Sequence, residues 1–76
     1  MRPADLLRML ARRPFRPFRI RALENLTFDV RHPEQVIVDV ATADIDLALP
    51  GDVGADKERF VILSLRMIMT LEPLDE

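Results

Sequence analysis

Cysteine, tryptophan and tyrosine are missing from this 76-residue chain, and histidine, lysine and serine each occur once, as His32, Lys57 and Ser64. Without cysteine there is no disulfide and no thiolate nucleophile or ligand, a composition that suits a reducing, cytoplasmic setting. A hydrolytic triad needs a nucleophile beside a base that an acid holds in place. Only Ser64 and His32 qualify, and Ser64 lies inside an apolar run. Structural zinc wants four nitrogen or sulfur ligands, which His32 with Glu34 cannot supply. No catalytic, cofactor-binding or metal residue is therefore assigned, no cofactor is expected, and the chain is not expected to be an enzyme. No apolar run reaches the length of a membrane span, and Arg8 interrupts the one stretch resembling a signal peptide, so no membrane association is expected. The arginine-rich start shares its charge with transit peptides. Asp5, the lack of serine there and the direct run into a strand set it apart.

A single domain of this size buries only ~60% of its unfolded surface. With disulfides excluded and a metal nearly so, self-association or close packing is left to stabilise it. Charge is unevenly spread. Up to residue 33 there are eight arginines against three acids, net +5; after it, ten acids against three cations, net −7. A basic and an acidic face follow, able to pair within a chain, between copies or with other partners.

What is present gives the order of elements. Pro3 and Asp5 suit a helix start and Pro14 a stop, predicting a helix over 3–13 with a Leu6, Leu7, Leu10 stripe. Pro14-Phe15-Arg16 and Pro17-Phe18-Arg19 form a three-residue repeat, so both phenylalanines share a face of an extended connector. They read better as anchors of helix to sheet than as a Pro-x-x-Pro ligand.

Strands are expected at about 17–22, 26–31, 36–40, 45–49, 59–64 and 67–72, the last two being one apolar segment bent at Ser64-Leu65-Arg66. The first turn is solved by register. A three-residue loop, Leu23-Glu24-Asn25, brings Phe18, Ile20, Ala22, Leu26, Phe28 and Val30 to one face and sets Arg19 opposite Asp29 and Arg21 opposite Thr27. Such a loop needs a left-handed residue at its end, and Asn25 is suited to it. His32-Pro33-Glu34 turns the chain. Pairing Val40 with Ile45 then aligns the apolar faces of strands three and four but places Asp39 against Asp46. Residues 50–58 hold both glycines and read as a mobile loop. Its Gly51-Asp52-Val53-Gly54 matches a KH-type clamp only superficially, because the acids would repel phosphate. Asp39, Asp44 and Asp46 read as a solvated acidic face rather than a cation site.

The segments Pro14 to Ile20, Phe28 to Glu34, Ile68 and Leu71 to Leu74 resemble those of a group of small bacterial proteins common in planctomycetes, over about residues 4–74. That group has Asp-Gly at the hairpin tip, where this chain has Glu24-Asn25, and often a histidine where Met67 stands. The resemblance implies an origin and no activity. The layout of a short helix before about five antiparallel strands also resembles Sm-like and SH3-like small barrels, without the Asp/Asn and Arg-Gly signatures by which Sm-like proteins hold RNA.

The expected fold is α+β, a short N-terminal helix on a bent antiparallel sheet of about five strands, closed in one variant as a small barrel. The expected role is a non-catalytic protein-interaction module that self-associates. Phe60 and Ile62 point one way and Val61, Leu63 and Leu65 the other. A homo-oligomer interface is placed on Val61, Leu63, Leu65, Met67 and Met69. The alternative is RNA or single-stranded nucleic-acid binding through Arg12, Arg13, Arg16, Arg19 and Arg21.

Overall fold

Proline opens the first element and helps to close it. In the computed structural model, which describes residues 1–49 and 59–74, α1 spans Pro3–Leu10, with Asp5 in its first turn and Arg8 in its last. The Ala11 N–H caps it by donating to the Leu7 carbonyl at 2.9 Å. The helix therefore stops three residues short of the expected 13. A proline ring disfavours helical geometry in the residue before it, here Arg13, so Arg12 and Arg13 fall in the connector. Leu6 is fully buried and Met9 and Leu10 pack on the core, whereas Leu7 is half exposed.

Six strands follow: β1 Phe18–Ala22, β2 Thr27–Val30, β3 Val36–Asp39, β4 Asp44–Leu49, β5 Arg59–Ser64 and β6 Ile68–Pro73. They form two antiparallel sheets, ordered β2-β1-β6 and β3-β4-β5. The expected α+β class is observed, but as six strands in two sheets, with no ladder among the described residues closing them into a barrel. Two one-turn corners fall at the turn expected after β2 and the bend expected in the last apolar segment. At Pro33–Gln35 the proline has no N–H to continue a ladder, and at Leu65–Met67 the Ser64 hydroxyl accepts the Arg66 N–H at 3.3 Å. Gln35 fastens the first corner. Its Oε1 accepts the N–H groups of Arg31 (2.6 Å) and His32 (2.8 Å), and its Nε2 donates to the Ala48 carbonyl of β4 at 3.2 Å.

Phe18, Ile20, Ala22, Val30 and Ile68 from the first sheet share one buried cluster with Val36, Ile45, Leu47 and Leu63 from the second. Leu6 and Leu65 complete it. The Phe15 ring leans on Phe18, centroids 6.1 Å apart and tilted by 59°. The repeat thus spends both aromatic rings on packing the connector.

The first hairpin has the register that the apolar pattern dictates, with Arg19 opposite Asp29, Ile20 opposite Phe28 and Arg21 opposite Thr27. The Ala22 N–H donates to the Leu26 carbonyl at 2.8 Å, closing the three-residue loop. Asn25 is left-handed as required, and so is Glu24. The β3–β4 hairpin is two residues out from expectation. Val38, not Val40, faces Ile45, and Asp39 faces Asp44 rather than Asp46. The strand ends at Asp39 because its carboxylate accepts the loop N–H groups of Ala41 and Thr42, at 3.0 and 3.3 Å. A left-handed Ala43 completes the turn, leaving Val40 exposed. The expected mobile loop at 50–58 lies outside the described residues.

Candidate interaction surfaces

Both sheets turn one face to the core, so what distinguishes them is the other face. On the first sheet that face is polar and internally neutralised. Arg19 stands between Asp29 of β2 and Glu72 of β6, and Arg21 between Thr27 and Thr70. The Arg19 guanidinium donates to both Asp29 carboxylate oxygens, at 2.7 and 3.3 Å. Arg21 does the same to Glu72, at 2.7 and 3.4 Å, and the Thr70 hydroxyl adds a third bond to Glu72 at 2.8 Å. Arg31 approaches Asp29 at 3.9 Å. These hydrogen bonds favour the ionised carboxylates. The bond from Arg21, then that from Thr70, lowers Glu72 from the ordinary 4.5 to about 2. Asp29 is lowered too, chiefly by the Arg19 bond and against partial desolvation.

The second sheet is the opposite case. Ile37 of β3, Asp46 of β4 and Ile62 of β5 are direct neighbours in one row, with Ala48 beside Phe60 in the next. Ile37 is 61% exposed, Phe60 56% and Ile62 73%. Strand alternation puts all of them on the outer face, since Ile45, Leu47 and Leu63 between them are buried. The expected interface on Val61, Leu63, Leu65, Met67 and Met69 is accordingly not a surface. Leu63 and Leu65 are core residues, Val61 and Met67 are partly buried, and only Met69 is exposed. The parity expected within β5 is observed, but the core covers the side chosen for the interface and leaves Phe60 and Ile62 outside. Ile37, in the middle of the Val36-Ile37-Val38 run, carried a signal that was missed, because alternation forces one of the three outward.

The arginines assigned to a common face are divided. Arg19 and Arg21 are paired on the first sheet, whereas Arg12, Arg13 and Arg16 are exposed on the connector. Together with Pro14 these three line a concavity of about 350 Å³. Arg13 donates to the Arg12 carbonyl at 3.1 Å, and none of the three has an acidic partner among the described residues. A larger groove of about 580 Å³ runs between β2 and the end of β4, past Phe28, Arg31, His32, Gln35 and Leu49. Its Arg19, Asp29 and Gln35 are bonded to one another's strands or to backbone. His32 is exposed at the first corner, and Ser64 caps the second. Among the described residues no three His, Asp or Glu side chains converge as metal ligands, and no helix is long and apolar enough to cross a membrane. No family model, curated protein or solved structure matches the chain.

Proposed function

We propose that the protein is a non-catalytic interaction module that associates with copies of itself through the outer face of the β3–β4–β5 sheet. The observation that carries this reading is the exposure of Ile37, Phe60 and Ile62 on that one face, with Asp46 and Ala48 of β4 between the β3 and β5 side chains. Exposed apolar side chains gathered on one face mark interaction sites better than scattered single ones do. β5 also ends its sheet with one ladder edge unpaired among the described residues, an arrangement that invites pairing or covering. A bacterial origin and a cytoplasmic setting belong to the same proposal, the first carried by the Pro-Phe-Arg and His-Pro-Glu segments and the second by the missing cysteines.

Light scattering over a wide dilution series tests it. Wild-type protein should dissociate on dilution and melt at a temperature that rises with concentration. Ile62→Lys should scatter as single chains at every concentration with its circular dichroism unchanged. A wild-type protein that is single-chain throughout overturns the reading.

The concavity of Arg12, Arg13 and Arg16 favours a second reading, RNA or single-stranded nucleic-acid binding. It rests on these three alone, since Arg19 and Arg21 already hold carboxylates. A labelled single strand should then bind with an affinity that falls steeply with salt, and Arg16→Glu should abolish binding where Arg21→Gln does not. No binding at low salt removes this reading.

A further inference from the structure

Resting on self-association through the β3–β4–β5 face, the geometry points to the surface that this face receives: the Arg12, Arg13 and Arg16 concavity of a second copy. Asp46 is the reason. It is exposed at the centre of the apolar row, with Ile37 on one side and Ile62 on the other. Two such faces meeting like to like would bring two Asp46 carboxylates into a drying interface, where unpaired charge is costly. Asp44 and Asp39 continue the same face one row further on. The face therefore calls for a cation at its middle and apolar cover around it.

The connector supplies both. Guanidinium is the cation best suited to a desolvated carboxylate, because its planar fork can donate two parallel hydrogen bonds. The methylene stems of Arg12, Arg13 and Arg16, with the ring of Pro14, offer apolar contact to Ile37 and Ile62. The two arginines at the centre of the first sheet are occupied, Arg19 by Asp29 and Arg21 by Glu72. Among the described residues Arg12, Arg13 and Arg16 gather on the connector while Asp39, Asp44 and Asp46 lie on the outer face of the second sheet, so every copy carries both poles. Docking pole to pole uses this arrangement, while a nucleic acid would meet an overall charge of −2. The contact joins two different patches. It closes as a twofold pair if each copy gives and receives, and otherwise continues from copy to copy.

Charge reversal at each patch, followed by mixing, tests the pairing by sedimentation. Asp46→Arg and Arg16→Asp should each weaken self-association at least ~tenfold, and an equimolar mixture of the two should regain it. Salt should weaken the wild-type contact. Both sites are exposed, so the single-chain melting of each variant should stay near wild type. Should a reversal variant misfold, Asp46→Asn and Arg16→Gln should show smaller losses in the same direction. Stronger association of Asp46→Arg with an inert Arg16→Asp would overturn the inference, since the faces then meet like to like, and would leave self-association standing. Single chains at every wild-type concentration would remove both. Salt-sensitive binding of a labelled single-stranded oligonucleotide that Arg16→Asp abolishes, with self-association unmoved, would assign the concavity to nucleic acid and overturn the pairing.

Discussion

Glu24 (φ 62°), Asn25 (φ 61°) and Ala43 (φ 57°) adopt left-handed backbone without being glycine. Each carries a Cβ where the backbone leaves little room, at about 1–2 kcal/mol for an ordinary side chain and less for asparagine. Asn25→Gly should thus be neutral or mildly stabilising, while Asn25→Val should cost about 1–2 kcal/mol in a denaturant titration. Glu24→Gly and Ala43→Gly should both raise the melting temperature, because neither Glu24 nor Ala43 has the asparagine's local compensation. Equal melting of the Gly and Val variants at 25 would remove the left-handed loop from the account. Glu72 sets a second expectation at this scale. Its folded-state value, about 2, lies below the ordinary 4.5. A depressed carboxylate stabilises the fold fully above its unfolded value and loses that contribution as pH falls through its folded one. Wild-type melting should therefore decline from about pH 4.5 towards 2, and Glu72→Gln should flatten the decline. An identical pH profile in the two proteins would show that the Arg21 pair does not form in solution.

Among the elements, the two corners decide how the sheets meet. Gln35 reaches from the first corner to β4, so Gln35→Ala should cost about 1 kcal/mol, since water can replace part of what is lost at a partly exposed site. Gln35→Glu, which retains the acceptor for Arg31 and His32 but loses the donor to Ala48, should lie between the two. Thermal melts of the three proteins order them. The second corner is anchored in the core by Leu65, whose side chain is 1% exposed. Leu65→Ala should cost about 2–5 kcal/mol, whereas Ile62→Ala, on the exposed outer face of β5, should leave dilute protein almost unchanged. If both variants were equally destabilised, β5 would be covered on both sides within one chain and the outer face would not be free.

For the molecule as a whole, the exteriors of the two sheets divide the work. One holds its charges in its own ion pairs, and surface pairs of this kind contribute little stability but neutralise charge. The other exposes Ile37, Phe60 and Ile62 around Asp46, with Asp39 and Asp44 in the next row. Salt dependence would separate the apolar and ionic parts of the proposed association, because an apolar contact is insensitive to it and an ionic contact to Asp46 is not.

Much of this was determined by the sequence itself, wherever the cause is local. Proline placed the start of α1 and the first corner, because its ring acts on its own residue and its neighbours. Alternation placed the inner faces of β1, β2 and β5. Loop length fixed the first hairpin, because a one-residue slip would turn every apolar side chain outward. The tertiary structure decided what depends on distant parts of the chain. The β3–β4 register shifted by two residues, which alternation permits without cost, and the Asp39 carboxylate selected it by holding the turn. Arg21 found Glu72 at a sequence distance of 51, a pairing available only because β6 lies beside β1. The choice between the two apolar sides of β5 was likewise non-local. The opposite sheet and α1 can cover only one of them, and they cover Leu63, leaving Phe60 and Ile62 outside.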